Sequence, residues 1–307
     1  MATTTTRHAC FVILFLASLA LLAGCAITPE EGETRFYGLF IGINIYEDVL
    51  VPKLKWCEED ATGVRGALSA RGWDGVEPID GDLGNGELFT RLGADATKAQ
   101  ILADIGDLVD NAGTGDYILV YFSGHGTSIP DIDGDESDGD DEAIVPYDYD
   151  WSDPTLILDD ELRAVFARSR TGKGAVIFDS CNSGGMINKG IDGKGFTPRS
   201  FGSRDMGGGA SNGDLDILDL PVLAAARPNE DSYEVDALGH GVFSFFLIEG
   251  LQRLRTDDNG DGRLSIREWF DYAEINTESY VSFNYPNYPQ HPQILFDRDF
   301  IDILVTR

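Results

Sequence analysis

Cysteine and histidine are scarce in this chain of 307 residues, with four of each. The scarcity removes whole classes of chemistry. No Cys-x-x-Cys pair and no His-x-x-x-His pair occurs, so a four-ligand zinc site has nothing to assemble from. Basic residues are scarce as well: 23 Lys and Arg stand against 53 Asp and Glu, a formal net charge of −30. Such an acidic excess excludes nucleic acid or anionic lipid as an electrostatic partner and fits solubility outside the cell, or affinity for cations. Long linkers, internal repeats and coiled-coil heptads are missing too. The apolar stretch from Phe11 to Leu22, preceded by Arg7 and His8, is too short and too abruptly ended for a spanning helix. The first 25 residues therefore read as an export signal whose removal takes away one Arg and no carboxylate.

What is present centres on two apolar runs, each broken by a reactive residue set among glycines. They are Tyr117-Ile-Leu-Val-Tyr-Phe-Ser-Gly-His125-Gly and Ala175-Val-Ile-Phe-Asp-Ser-Cys181-Asn-Ser-Gly-Gly. The β-branched and aromatic runs fit buried parallel strands, and the glycines let the backbone turn sharply beside a ligand. Open α/β sheets place their chemistry at such strand ends. A thiol is a useful nucleophile only as thiolate, and a neighbouring imidazole both lowers its pKa and takes its proton. Cys181 is thus the candidate nucleophile and His125 its base. Cys57 opens a predicted helix, Leu54-Lys-Trp-Cys-Glu-Glu-Asp60, and is not expected to pair with Cys181.

Strand signals lie at Tyr37–Ile45, Val76–Ile79, Tyr117–Phe122, Ala175–Phe178, Val222–Ala226 and Ile294–Phe296. Helical patterns fill Cys57–Ala70, Thr97–Asn111, Asp159–Arg168, Val242–Arg255 and Ile266–Tyr280. Strands alternating with amphipathic helices predict an α/β fold: a mostly parallel six-stranded central sheet with helices on both faces. Near the end, Asp257-Asp-Asn259-Gly-Asp261-Gly262-Arg263-Leu-Ser265-Ile-Arg-Glu268 satisfies every position of a twelve-residue EF-hand loop. Gly262 falls at the sharp turn and Glu268 is the bidentate ligand.

Two resemblances follow. Leu22-Ala-Gly-Cys25 resembles the bacterial lipoprotein signal, which implies a lipid anchor at Cys25 and a place in the bacterial cell envelope, with the outer membrane or periplasmic face favoured. The remainder resembles the caspase-like cysteine peptidases, and among them the metacaspases of peptidase group C14. The resemblance rests on seven segments in the family's order over residues 36–307: Gly42-Ile-Asn-Ile-Tyr46, Ser123-Gly-His-Gly126, the acidic stretch Asp133–Asp148, Leu158-Asp-Asp-Glu161, Asp179-Ser-Cys-Asn-Ser-Gly184, Ala224–Glu230 and Gly239-His-Gly-Val-Phe-Ser244. It implies a Cys181–His125 dyad, an oxyanion hole from the backbone N–H groups of Gly126 and Cys181, and an acidic pocket of Asp60, Ser123 and Asp179. Such a pocket receives Arg or Lys before the scissile bond. A guanidinium buried without carboxylates would be costly, so the chemistry is consistent.

The pattern departs in places. Asn182 stands where His is usual, Thr127-Ser follows the histidine motif where Ser-Gln is usual, and Asn188 stands near where a metal-binding Asp is expected. Residues 131–142 hold eight acidic side chains in twelve. The resemblance implies an activating Ca2+ site from Asp138 and Asp141 in this stretch together with Asp159 and Asp160. The glycine-rich segment Gly184–Asp214 carries Lys189, Lys194, Arg199 and Arg204 and is read as a mobile loop and self-processing site. The reading is therefore a calcium-assisted cysteine endopeptidase acting on Arg- or Lys-containing proteins. Its alternatives are an inactive caspase-like calcium-binding module at the envelope, and a related enzyme with Asp or transpeptidase specificity. Asp60 and Asp179, as an acidic pocket, argue against Asp by like-charge repulsion.

Overall fold

The computed structural model describes residues 34–73, 88–130, 140–150, 155–180, 196–198, 220–227, 230–253, 256–295 and 302–305. The export signal with Cys25, the predicted strand at 76–79, Asp138 and Cys181 lie outside these residues. Residues from Thr34 onward cluster as one compact unit.

A six-stranded sheet forms the centre. It is built from β1 (Phe36–Gly42), β2 (Leu88–Leu92), β3 (Tyr117–Ser123), β7 (Gly174–Asp179), β9 (Val222–Ala224) and β13 (Gln293–Leu295), in the spatial order β13-β9-β7-β3-β1-β2. All pairings are parallel except β13 with β9. The inner strands β3 and β7 are apolar up to their last residues, Ser123 and Asp179, because both faces are covered. Phe40, Leu119, Tyr121, Ala175 and Ile177 face α1 (Cys57–Ser69), α4 (Val242–Gln252) and α5 (Ile266–Asn284). The alternate residues Leu39, Ile41, Val120, Phe122, Val176 and Phe178 face α2 (Lys98–Asn111) and α3 (Asp159–Phe166). The period-2 alternation of strands has thus sorted one apolar sequence into two cores.

The helices form where apolar spacing and caps coincide. Cys57, Ala61, Val64 and Leu68 recur at helical spacing and are buried. The α1 N-terminus is capped from a distance: Asn44 Oδ1 accepts from the N–H of Cys57 at 2.8 Å, and Glu234 Oε2 from that of Trp56 at 3.0 Å. Thr97 caps α2, with its hydroxyl accepting from Gln100 N at 3.3 Å. Ser265 and Glu268 form a reciprocal capping box at the start of α5.

Three features differ from the sequence expectations. The sheet edge next to β1 is Leu88–Leu92, an unpredicted strand whose Arg91 reaches back to Asp104 of α2 in a two-bond ion pair at 2.6 and 3.0 Å. The residues after His125 continue into a small antiparallel sheet of β4 (Gly126–Pro130), β5 (Asp140–Ile144) and β6 (Ile157–Leu158). Carboxylates dominate β5 and conceal its strand character. Within the segment expected to be a mobile loop, β8 (Phe196–Pro198) pairs antiparallel with β10 (Tyr233–Val235), which also pairs with β11 (His240–Gly241). Among the described residues, no helix is long and apolar enough to cross a membrane.

Candidate active site

The carboxyl ends of three neighbouring strands line up in register: Gly42 of β1 pairs with Ser123 of β3, and Ser123 pairs with Asp179 of β7. His125 follows two residues after Ser123 and is wholly buried. Its ring is fixed by a bond of 2.7 Å between Nε2 and the carbonyl oxygen of Pro52. A carbonyl only accepts, so Nε2 carries the hydrogen and Nδ1 is the basic nitrogen of the neutral ring. The backbone N–H of His125 donates to the Tyr46 hydroxyl at 2.7 Å, and the two rings lie 5.2 Å apart. Gly126, the predicted oxyanion donor, opens β4 opposite Ile144. Asp179 and Ser180, directly before Cys181, are both buried.

The three residues of the predicted acidic pocket come together. Asp60 is fully buried on the first turn of α1, where Oδ2 accepts from Ser123 Oγ at 3.0 Å. Its Oδ1 accepts from His240 Nδ1 at 2.8 Å and from Gly241 N at 3.0 Å. Asp179 is equally buried; Oδ1 accepts from Ser232 Oγ at 2.9 Å, and Oδ2 from the N–H of Ser244 at 3.2 Å and from its hydroxyl. Ser244 is bonded in turn to the Tyr121 hydroxyl. Both carboxylates therefore stand at the amino end of α4, where unpaired N–H groups and the helix dipole favour negative charge. Tyr46, Pro52, Ser232, His240 and Ser244 received no role from sequence. Tyr46, His240 and Ser244 sat inside quoted motifs, but nothing in spacing alone tells which side chain a distant carboxylate will meet.

The predicted calcium residues fall in two places. Asp141, in β5, and Asp159, at the start of α3, are buried, and Asp160 pairs with Arg163. Ala143 of β5 pairs with Leu158, the residue before Asp159, so these acidic positions meet at one end of the small sheet. The loop of residues 257–268 folds around its own amides. Asp257 accepts from the N–H of Gly260 at 2.8 Å and of Gly262 at 2.9 Å, Asn259 from that of Asp261 at 2.8 Å, and Asp261 from that of Arg263 at 2.8 Å. Glu268 Oε1 reaches across to the N–H groups of Asp258 and Asn259 at 3.0 and 3.1 Å. Partial burial pushes the Glu268 carboxyl up, but bonds from Ser265, Asn259 and Asp258 outweigh it and hold the group below its ordinary range. Loop residues Arg263–Ser265 form β12, which pairs with β14 (Asp302–Val305). Among the described residues, no three His, Cys, Asp or Glu side chains form a ready metal cluster. The loop oxygens are turned onto backbone amides, although each carboxylate has further lone pairs available.

Known proteins resemble this chain in sequence and in fold. Residues 37–189 match the family described as metacaspase, peptidase C14 domain. Metacaspase-1B of Aspergillus fumigatus is 47% identical over 94 residues, 30% of this chain and 22% of that protein. Metacaspase-1B of Aspergillus terreus is 46% identical over 94 residues, covering 24% of its length. The matched region is thus about a quarter or less of these relatives. In fold, the chain is similar to a Geobacter sulfurreducens protein, with a TM-score of 0.57 at 21% identity over 86% of this chain and 95% of that one. It is also similar to caspase-1 of Spodoptera frugiperda, with a TM-score of 0.54 at 12% identity over 89% and 91%. The sheet, its order and its covering helices are those of a caspase-like α/β fold, and the chain belongs to the caspase-like peptidases of the C14 group.

Proposed function

We propose that the chain is a cysteine endopeptidase in which Cys181 attacks and His125 transfers the proton, with cleavage after Arg or Lys. The observation that carries this reading is the β3–β7 register: Ser123 pairs with Asp179, and His125 and Cys181 each come two residues after a paired residue. The His125 tautomer set by Pro52 adds support, because it makes Nδ1 the base. In the reaction, Nδ1 takes the thiol proton, Sγ bonds to the scissile carbonyl carbon, and the oxyanion is received by the N–H groups of Gly126 and Cys181. The imidazolium then gives its proton to the leaving amine as the C–N bond breaks. Water, deprotonated by the same nitrogen, hydrolyses the thioester. Each oxyanion donor contributes about 3 kcal/mol.

Asp60 and Asp179 would receive the substrate cation. A buried guanidinium between two carboxylates gains charge-assisted hydrogen bonds that a neutral side chain lacks. Both carboxylates are fully buried, so an entering side chain must displace atoms that cover them. Calcium is proposed at the loop of residues 257–268. The donors would be Asp257, Asn259, Asp261, the carbonyl of Arg263 and Glu268, an all-oxygen set suited to this hard cation. Its contribution there would be structural, tying the start of α5 to β14. A second calcium site among Asp138, Asp141, Asp159 and Asp160 is proposed as the activating one, along with lipid anchoring through Cys25 at the bacterial envelope. The deciding experiment assays wild type, Cys181→Ala and His125→Ala on Arg, Lys and Asp peptides, with calcium and with chelator. The reading requires both variants to be inactive and Arg or Lys to be preferred. Turnover by Cys181→Ala, or preference for Asp, overturns it.

A further inference from the structure

His240 stands outside the dyad, yet its ring meets the substrate-facing carboxylate. The imidazole is about a quarter exposed, whereas Asp60 is fully buried. A carboxylate is acceptor-only, so the 2.8 Å contact means that Nδ1 carries a hydrogen. Together with the adjoining Gly241 N–H it loads Oδ1, while Ser123 loads Oδ2. Donors on both oxygens fix the plane of the carboxylate. The Gly241 N–H also reaches Oδ2, at 3.2 Å, so one backbone amide spans the two oxygens.

The surroundings are shaped to hold this ring. Gly63 lies three residues along α1 from Asp60, on the same face; a β-carbon there would come within 2.6 Å of Ile248 Cδ1 and 3.4 Å of His240 Cε1. The Phe245 ring lies 6.3 Å from the His240 ring, centroid to centroid. The same stretch that carries His240 also supplies Ser232 and Ser244 to Asp179. One segment, residues 232–244, therefore aims both carboxylates.

We infer that His240 is a specificity-determining positioning residue, whose Nδ1–H orients Asp60 to receive a guanidinium or ammonium side chain. The inference rests on the reading of Asp60 and Asp179 as the cation-binding pair. Its consequence is directional. An amide N–H placed where Nδ1–H stands should serve, and one placed elsewhere should not.

The full chain is assayed on two peptides that differ only in Arg or its uncharged isostere citrulline before the scissile bond. The readout is the Arg-to-citrulline ratio of kcat/KM for wild type, His240→Asn, His240→Gln and His240→Leu. Wild type should favour Arg by about a hundredfold or more, and His240→Asn, whose amide nitrogen occupies the Nδ1 place, should stay within about threefold of it. His240→Gln and His240→Leu should each lower the ratio by about tenfold or more, the size expected when a charge-assisted bond is lost. If His240→Leu fails to fold, the Asn and Gln pair carries the comparison, since both are polar and similar in volume. An unchanged ratio in His240→Gln overturns the role of His240 while leaving the acidic pair in place. A wild type indifferent to the charge overturns both.

Discussion

The backbone N–H of His125 and the hydroxyl of Tyr46 are 2.7 Å apart, so the proposed base is held by its main chain as well as by its ring. Both grips come from one loop, since Pro52, six residues after Tyr46, takes the Nε2 hydrogen. That loop is itself tied down by the N–H of Leu54 to the Asn44 carbonyl at 2.9 Å and that of Glu47 to the Tyr147 carbonyl at 2.9 Å. Tyr46→Phe would leave a buried N–H unsatisfied, at a cost of about 1–3 kcal/mol. We expect kcat to fall by about tenfold with KM near wild type, because proton transfer tolerates little misplacement. The limb of the pH profile governed by the base should also shift. A variant that melts lower but keeps the wild-type kcat and profile would make Tyr46 purely structural.

Asp60→Asn tests the charge of the pocket. Asp60 accepts from Ser123, His240 and Gly241, and an amide replaces one acceptor oxygen by a donor that must face another donor. In the proposed pocket the substrate cation would lose a carboxylate at the same time. We expect kcat/KM for Arg and Lys peptides to drop by about a hundredfold or more, chiefly through KM. Asp179→Asn should behave similarly, since its oxygens accept from Ser232 and Ser244. Unchanged kinetics in both variants would show that the substrate cation binds elsewhere.

Gly174→Ala tests the alignment of the strand that leads to the proposed nucleophile. Gly174 opens β7 with φ +131°, and a β-carbon there would lie 1.6 Å from the Ile118 carbonyl oxygen. Neither the backbone conformation nor the space admits a side chain. Relief requires β7 to move away from β3, disturbing the register that pairs Ser123 with Asp179. We expect a loss of more than about 3 kcal/mol, read as insoluble protein or a melting temperature lowered by several degrees or more. A soluble variant with a wild-type melting temperature would refute the close approach.

Much of this architecture was legible because burial on two faces writes long apolar runs: β3 and β7 were located to within a residue at each end. The helices were read from one-sided apolar spacing, and in the structure Thr97 and Ser265 cap the starts of α2 and α5. What escaped was governed by partners distant in sequence. The strand Leu88–Leu92 is short and contains a charge, and only its place beside β1 and the ion pair with Asp104 make it a strand. The acidic β5 was not read as a strand because of its charge, although Ala143 and Ile144 pack into the core. Asp60 was named from what the family resemblance implies, but that Ser123, His240 and Gly241 converge on it depends on contacts up to 181 residues apart in sequence.

Glu268→Gln separates calcium from ordinary helix capping. The Glu268 carboxylate does two things in the structure: Oε2 accepts from the N–H and hydroxyl of Ser265 at 3.0 and 2.9 Å, and Oε1 accepts from the N–H groups of Asp258 and Asn259. The first is the capping box of α5, which glutamine preserves in part, since one oxygen remains. The second draws the end of the loop onto its beginning, where a bidentate ligand for calcium must stand. In chelator, the substitution should lower the melting temperature only slightly, by the loss of charge-assisted bonds. In calcium buffer, wild type should gain stability as free calcium rises, by RT ln(1 + [Ca2+]/Kd), and the variant should gain much less. Calorimetric titration should show one fewer site in the variant. If wild type and variant gain equally, the loop is a structural turn whose acidic residues serve only its backbone, and calcium acts elsewhere in the chain.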